Sequence, residues 1–361
     1  MATIGVLGAG AIGSFFGALL ARELGPDRIV LVGRGPHAEF VRRTGRLAVA
    51  SQRYRAEVPA RMELEPAALA GSEFVLFCVK SHGTEEALSQ AAPFIRQATV
   101  VVIQNGICDQ IFQRWLPPSQ LVAAVTTINV AVTAPGHISL QLGGLTAVGP
   151  MFPDAEAAAR KAAAILSKTG MPIKYTREIQ GLRYTKLGIN AVGYVSCLSA
   201  SNFITECLLH HPWRRWVAIP LFREIERVYR AAGIHHRAIP GRPGIRHFRT
   251  ICHLLGFPIV GQLLGGLMRF GFNRRPIVFS LYQDLVSGKK TEVDFINGEI
   301  VRLGSEHQTP CPLNELVLEL THELEQKNPR TFLARDEVIH RFKERLQVRR
   351  FEPTTIGVER S

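Results

Sequence analysis

Pairing of cysteines is the first thing missing from this 361-residue chain. Cys78, Cys108, Cys197, Cys207, Cys252 and Cys311 are scattered, none in a C-x-x-C pair, and no Cys/His cluster has zinc-ligand spacing. That excludes a disulfide framework and a structural zinc site, so reduced thiols and no metal are expected. There is no internal repeat and no low-complexity tract, which excludes solenoids and long disordered regions. The opening Met1-Ala2-Thr3-Ile4 lacks a basic n-region and a cleavage site, so no secretory signal is expected and a cytoplasmic location is.

Two further absences concern charge. Ile251 to Met268 holds no charged residue and reaches the lower length limit of a membrane span. It also contains His253, Pro258, Gln262 and several glycines, so helices packed inside a domain are expected there and a stable span is not. Between Glu226 and Asp284 there is no acid at all, while Arg230, Arg237, Arg242, Arg246, Arg249, Arg269, Arg274 and Arg275 lie in that stretch. The formal net charge of +13 favours anionic partners: nucleic acid, an acidic membrane surface, or phosphorylated and carboxylated small molecules. No helix-turn-helix signature or aromatic-interleaved basic stripe is present, so nucleic acid is not expected.

What is present reads as two domains, as the length suggests. Thr3–Leu7, Arg28–Val32, Phe74–Val79 and Thr99–Ile103 are buried-strand patterns, with helical patterns at Ile12–Leu24 and Thr84–Ile95. Such alternation predicts parallel βαβ units. Leu121–Val132 reads as one more strand, with His137–Leu142 and Leu145–Val148 as an antiparallel continuation. Asp154 reads as the cap of an Ala-rich helix ending at Ser167. From Ile179 the patterns are mostly helical, broken near Pro240 to Gly244. The expected class is α/β: a Rossmann-type parallel-sheet domain over 1–178, a mostly α-helical domain over 179–330 for substrate and catalysis, and a C-terminal extension over 331–361.

The first strand runs into Gly8-Ala9-Gly10-Ala11-Ile12-Gly13, a G-x-G-x-x-G between a strand and a helix. In that setting it is a dinucleotide fingerprint: Gly8 for the tight turn, Gly10 for approach of the pyrophosphate, Gly13 for close helix–strand packing. NAD sites usually end the second strand with an acid that holds the ribose 2′-hydroxyl. Here Ile29-Val30-Leu31-Val32 is followed by Gly33-Arg34-Gly35. Arg34 suits a 2′-phosphate, so NADP(H) is the expected cofactor. Two more strands end in Lys80-Ser81-His82 and Gln104-Asn105-Gly106. Lys80 can face the cofactor or a substrate carboxylate, and Asn105 the nicotinamide ribose or the substrate; an ordinary turn and a solvated lysine are the plain alternatives.

In the second domain Lys186 and Asn190 are four residues apart on an apolar helix pattern and share a face. A desolvated lysine there suits proton transfer, whereas a snorkelling lysine would be purely structural. Ser280-Leu281-Tyr282-Gln283-Asp284 and Thr291-Glu292-Val293-Asp294-Phe295-Ile296-Asn297-Gly298 crowd polar groups onto helical patterns, where Glu292 needs a cation or a substrate hydroxyl as partner.

Taken in order, these motifs, with Pro310 to Asn314, resemble the ketopantoate reductases over most of the chain. The resemblance implies NADPH-dependent reduction of a small 2-oxo acid, 2-dehydropantoate, in pantothenate synthesis. It implies Lys186 as general acid and Glu292 on the substrate hydroxyl, also near the cofactor. Asn190 and Ser280 would hold substrate oxygens, Asn105 would sit between nicotinamide and substrate, Lys80 near the cofactor and Arg34 on the 2′-phosphate. Three departures stand out. Tyr194-Val195 replaces the family's usual second Asn and proline, which makes Tyr194 a candidate substrate contact or a core residue. Gly233 to Arg275 is longer and more basic than usual, and the tail after Lys327 is longer. A reductase of another 2-oxo acid and a non-catalytic NADPH-binding regulator are the alternatives, and a homodimer is allowed.

Overall fold

The computed structural model describes residues 3–51, 55–272, 279–327 and 329–348. The chain forms two compact units, Met1–Arg183 and Tyr184–Ser361. The division falls inside the helix Ile179–Cys197.

The first unit is built on an eight-stranded sheet. Its order is Ile173–Tyr175, Thr146–Pro150, Leu121–Thr126, Thr99–Val102, Phe74–Phe77, Ile4–Leu7, Ile29–Val32 and Arg61–Glu63. All pairings are parallel except Thr146–Pro150 against Leu121–Thr126. Ile4–Leu7, Ile29–Val32 and Phe74–Phe77 are buried at every residue, which is why they read as unbroken apolar runs.

The sequence reading of Leu121–Val132 as one strand is corrected. Leu121–Thr126 belongs to the large sheet, and Asn129–Ala134 to a second sheet with His137–Leu142, Arg46–Ala50 and Arg55–Pro59. The chain leaves the first sheet at Thr126, whose hydroxyl accepts from the Ile128 N–H (3.3 Å) and from the Thr146 hydroxyl (2.9 Å). Asp154 lies in a 3-10 turn, Pro153–Ala155, and the Ala-rich helix starts at Glu156; Asp154 is not its cap.

The second unit is helical. Among the described residues no helix is long and apolar enough to cross a membrane. Ile251–Met268 is shared between the helices Ile245–Leu254 and Pro258–Phe272. Gly265 is buried, whereas Ile259, Leu263, Leu267 and Phe270 are exposed, so the expected packing holds for one face of the second helix only. Arg274 and Arg275 lie outside the described residues. Residues 331–348 are part of this unit: the Leu333 N–H donates to the Leu198 carbonyl, and Val338 and Phe342 are fully buried.

Candidate active site

In the first unit the parallel register brings four loops to one end of the sheet. Leu7 lies beside Val32 and Phe77, and Phe77 beside Val102. The segments that follow carry Gly8 to Gly13, Arg34, Lys80 and Asn105. Gly8 has a φ of 93°. A Cβ on it would stand 2.5 Å from the Val79 backbone nitrogen, so no other residue fits the turn. A Cβ on Gly13 would stand 2.4 Å from the Gly8 carbonyl oxygen. A Cβ on Gly10, by contrast, would meet nothing within 4 Å. The tight turn, the close packing and the open approach thus fall on the three glycines as a pyrophosphate site requires. Ala9 donates its N–H to the Val32 carbonyl (2.9 Å), and the helix begins at Ala11, with Ile12 and Gly13 in its first turn. That turn has no acidic residue and no side-chain cap, so its amides and dipole favour an anion. The residues present therefore fit a dinucleotide.

Arg34 stands at the N-cap of the helix Gly35–Thr44 with its side chain exposed. Its guanidinium donates to Glu86 (2.9 Å) and to the Gln90 side-chain carbonyl. The Arg34 hydrogen bond holds the Glu86 carboxyl below the usual range. Lys80 is exposed ahead of the turn Ser81–Gly83, and Asn105 is half-buried. Beside it, Gln104 donates to the Val79 carbonyl (2.6 Å) and the Thr84 hydroxyl (2.8 Å), binding two strand ends together.

Sequence reasoning missed a polar link beneath the glycine loop. Ser14 donates to the Ala9 carbonyl (3.0 Å) and so receives its other hydrogen bond from His37 Nε2 (3.0 Å). His37 Nδ1 accepts from the Gly136 N–H (3.0 Å). This fixes a neutral imidazole with its proton on Nε2, in keeping with the burial that lowers its pKa. Ser14 directly after the fingerprint was the one local signal.

In the second unit, Lys186, Asn190 and Tyr194 recur every fourth residue along one face of their helix. Lys186 is half-buried. Burial brings its ammonium pKa down to about 8, while the Glu292 carboxylate pulls the other way. Glu292 is buried at the N-cap of the helix Val293–Glu306. Tyr194 is 1% exposed. Its hydroxyl is 3.0 Å from that of Ser280, and its ring meets Phe279 edge-on with centroids 6.0 Å apart. A Cβ on Gly193 would fall 2.1 Å from the Phe279 ring, so glycine lets that ring lie against the helix. Burial drives the Tyr194 phenol upward, which keeps it neutral.

The polar blocks further along serve the frame. Asn297 donates to the Ala191 carbonyl (3.3 Å) and to Asn314 Oδ1 (3.0 Å). Asn314 Nδ2 donates to Glu224 (2.9 Å), which also accepts the N–H groups of Leu313 and Asn314. This buried chain ties the Lys186 helix to three others. Glu224 gave no signal in the sequence, because its partners are about ninety positions away. Among the described residues no group of His, Cys, Asp and Glu has the makings of a metal site.

An open helix N-terminus at the end of a parallel sheet fits a dinucleotide, and in the second unit a desolvated lysine attended by a carboxylate can donate a proton; both suit an oxidoreductase acting at a CH–OH carbon. The family description "Ketopantoate reductase PanE/ApbA" matches residues 4–152, and "Ketopantoate reductase PanE/ApbA C terminal" matches 178–325. The chain belongs to the ketopantoate reductase family. Relatives named 2-dehydropantoate 2-reductase include those of Pyrococcus horikoshii, 25% identical, and Pyrococcus abyssi, 28% identical, each over 86% of this chain and 94% of the relative. Among solved structures, a PanE/ApbA family ketopantoate reductase from Ralstonia eutropha aligns with a TM-score of 0.72 at 24% identity. D-mandelate dehydrogenase with NADH and anilino(oxo)acetate aligns with a TM-score of 0.74 at 22% identity. Both cover 90% of this chain and 98% of the other.

Proposed function

We propose that this chain reduces 2-dehydropantoate to pantoate with NADPH, as a step in pantothenate synthesis. The observation that carries the reading is Lys186: an ammonium with a pKa near 8, on a shared helix face with Asn190 and close to the buried Glu292. NADPH, when bound, supplies a hydride. Lys186 donates the proton to the carbonyl oxygen as negative charge gathers there, and a pKa near the working pH suits that transfer. Glu292 keeps the lysine charged and accepts from the substrate hydroxyl. Asn190 and Ser280 hold substrate oxygens. Gly8 to Gly13 hold the pyrophosphate, Arg34 the 2′-phosphate, and Lys80 and Asn105 lie toward the nicotinamide half.

The Tyr194–Ser280 contact favours one second reading: the same reaction on a different small 2-oxo acid. A phenol in place of an amide engages Ser280 and takes more room than Asn would. The test is turnover of purified protein with NADPH and 2-dehydropantoate, read at the nicotinamide absorbance beside smaller 2-oxo acids and a phenyl-bearing one. Reduction of 2-dehydropantoate with the highest kcat/KM supports the first reading. Reduction of another acid alone leaves the reaction class and removes the substrate.

A further inference from the structure

The arginine-rich stretch has a structural counterpart that the reductase reaction does not use. In the second unit a cavity of about 580 Å³ is lined by the end of the helix Ile219–Ala231, the loop after it, and the start of the helix Ile245–Leu254. Arg230, Arg237, Arg246 and Arg249 line it against a single carboxylate, Glu226. Glu226 is buried and already bonded to Arg249. Arg230 and Arg246 form no ion pair among the described residues. The helix that begins at Ile245 has no acid in its first turn, and its first residues, Ile245, Arg246 and His247, line the cavity; the Gly244 N–H donates to His247 Nδ1 (3.2 Å), and the amides of those first residues have no intrahelical acceptor. Concentrated positive charge in a concave wall is costly unless an anion offsets it.

The cavity lies behind the catalytic helix. Thr185 donates to the Arg237 carbonyl (2.6 Å), Tyr229 donates to the Tyr184 carbonyl (2.9 Å), and a Cβ on Gly188 would meet Ile245 at 2.7 Å. At 3.6 residues per turn, residues 184, 185 and 188 point away from the face that carries Lys186 and Asn190. The wall of the cavity is therefore joined to the far side of the Lys186 helix.

We infer that this cavity binds a phosphate-bearing small molecule, separately from the nicotinamide cofactor. Guanidinium forks match phosphate oxygens, and several converging on one hollow suit a diphosphate or a phosphate ester better than a lone carboxylate. The volume is that of a small-molecule site. No Phe, Tyr or Trp lines it; its only rings are those of His235, His236 and His247, smaller surfaces for the bases of a nucleic acid strand.

The experiment uses the full chain saturated with NADPH, so that phosphate sites on the first unit are filled; NADPH binding is followed separately by its fluorescence. Inorganic pyrophosphate is titrated by calorimetry, beside a short DNA duplex. One pyrophosphate per chain is expected. The variants Arg230→Gln and Arg246→Gln each remove one charge-assisted hydrogen bond and should weaken pyrophosphate about tenfold or more, with NADPH affinity unchanged. Both arginines are exposed and form no ion pair among the described residues, and thermal melts of the variants check that both fold. Absence of pyrophosphate binding, binding by both variants as tight as by the unsubstituted chain, or binding of the duplex in preference to pyrophosphate overturns the inference.

Discussion

The hydroxyl of Tyr194 lies 3.0 Å from that of Ser280, although 86 positions separate them in the chain. Ser280 is therefore engaged by the residue that departs from the family pattern. Tyr194→Phe should lower stability by about 0.5–1.5 kcal/mol, the usual worth of one such bond. Tyr194→Asn should shift the ratio of kcat/KM values toward 2-dehydropantoate and away from smaller 2-oxo acids. An unchanged ratio would show that Tyr194 only packs.

Lys186→Ala should cut kcat by about 10²–10⁴-fold, the usual contribution of a positioned acid, with NADPH affinity nearly intact. A loss below about tenfold would assign the proton to another group. The pH dependence has a definite sign. An acid must carry its proton, and the Lys186 ammonium loses it around pH 8. Activity in the reductive direction should thus hold below pH 8 and fall above it. A flat profile up to pH 10 would contradict the assignment.

Arg34→Glu should weaken NADPH strongly and NADH little, because only the former brings a 2′-phosphate. In the structure Arg34 is held by Glu86 and Gln90. Removing the competing carboxylate with Glu86→Gln should tighten NADPH or leave it unchanged. Equal affinities for the two cofactors in the unsubstituted protein would disprove the role of Arg34.

His37 should make the first unit acid-sensitive. Its folded pKa lies below 6.5, and protonating Nδ1 breaks its bond from the Gly136 N–H. The unfolded chain binds the proton first as the pH falls. The stabilisation is then complete above pH 6.5 and is lost as the pH drops through the lower folded value. His37→Gln should flatten the denaturation midpoint against pH below 6.5; a midpoint curve identical to the unsubstituted protein's would refute this.

Gly193→Ala should destabilise by about 1–3 kcal/mol through overpacking. Its Cβ would lie 2.1 Å from the Phe279 ring, and displacement of that ring would disturb the adjacent Tyr194–Ser280 pair. Urea denaturation with turnover on the same samples measures both effects. A variant of unchanged stability would mean that the ring moves freely.

The glycine fingerprint was legible because its constraints are local: a positive φ at Gly8 and a helix pressed onto its own preceding strand at Gly13 are settled within six residues. The stripe of Lys186, Asn190 and Tyr194 was legible for the same reason, since helical periodicity alone puts them on one face. The split of Leu121–Val132 between two sheets was not, because both halves are apolar strand formers and only their partners differ. Likewise nothing near Arg34 announced Glu86, and nothing near Tyr194 announced Ser280 or Phe279. By itself the sequence determined the main strands and helices, the glycine loop between the first strand and helix, and the lysine-bearing helix face, all products of short-range sterics and periodicity. Tertiary structure alone decided which side chains meet across the chain, and with them the desolvation that brings Lys186 near pH 8, because burial is a property of everything packed around a group.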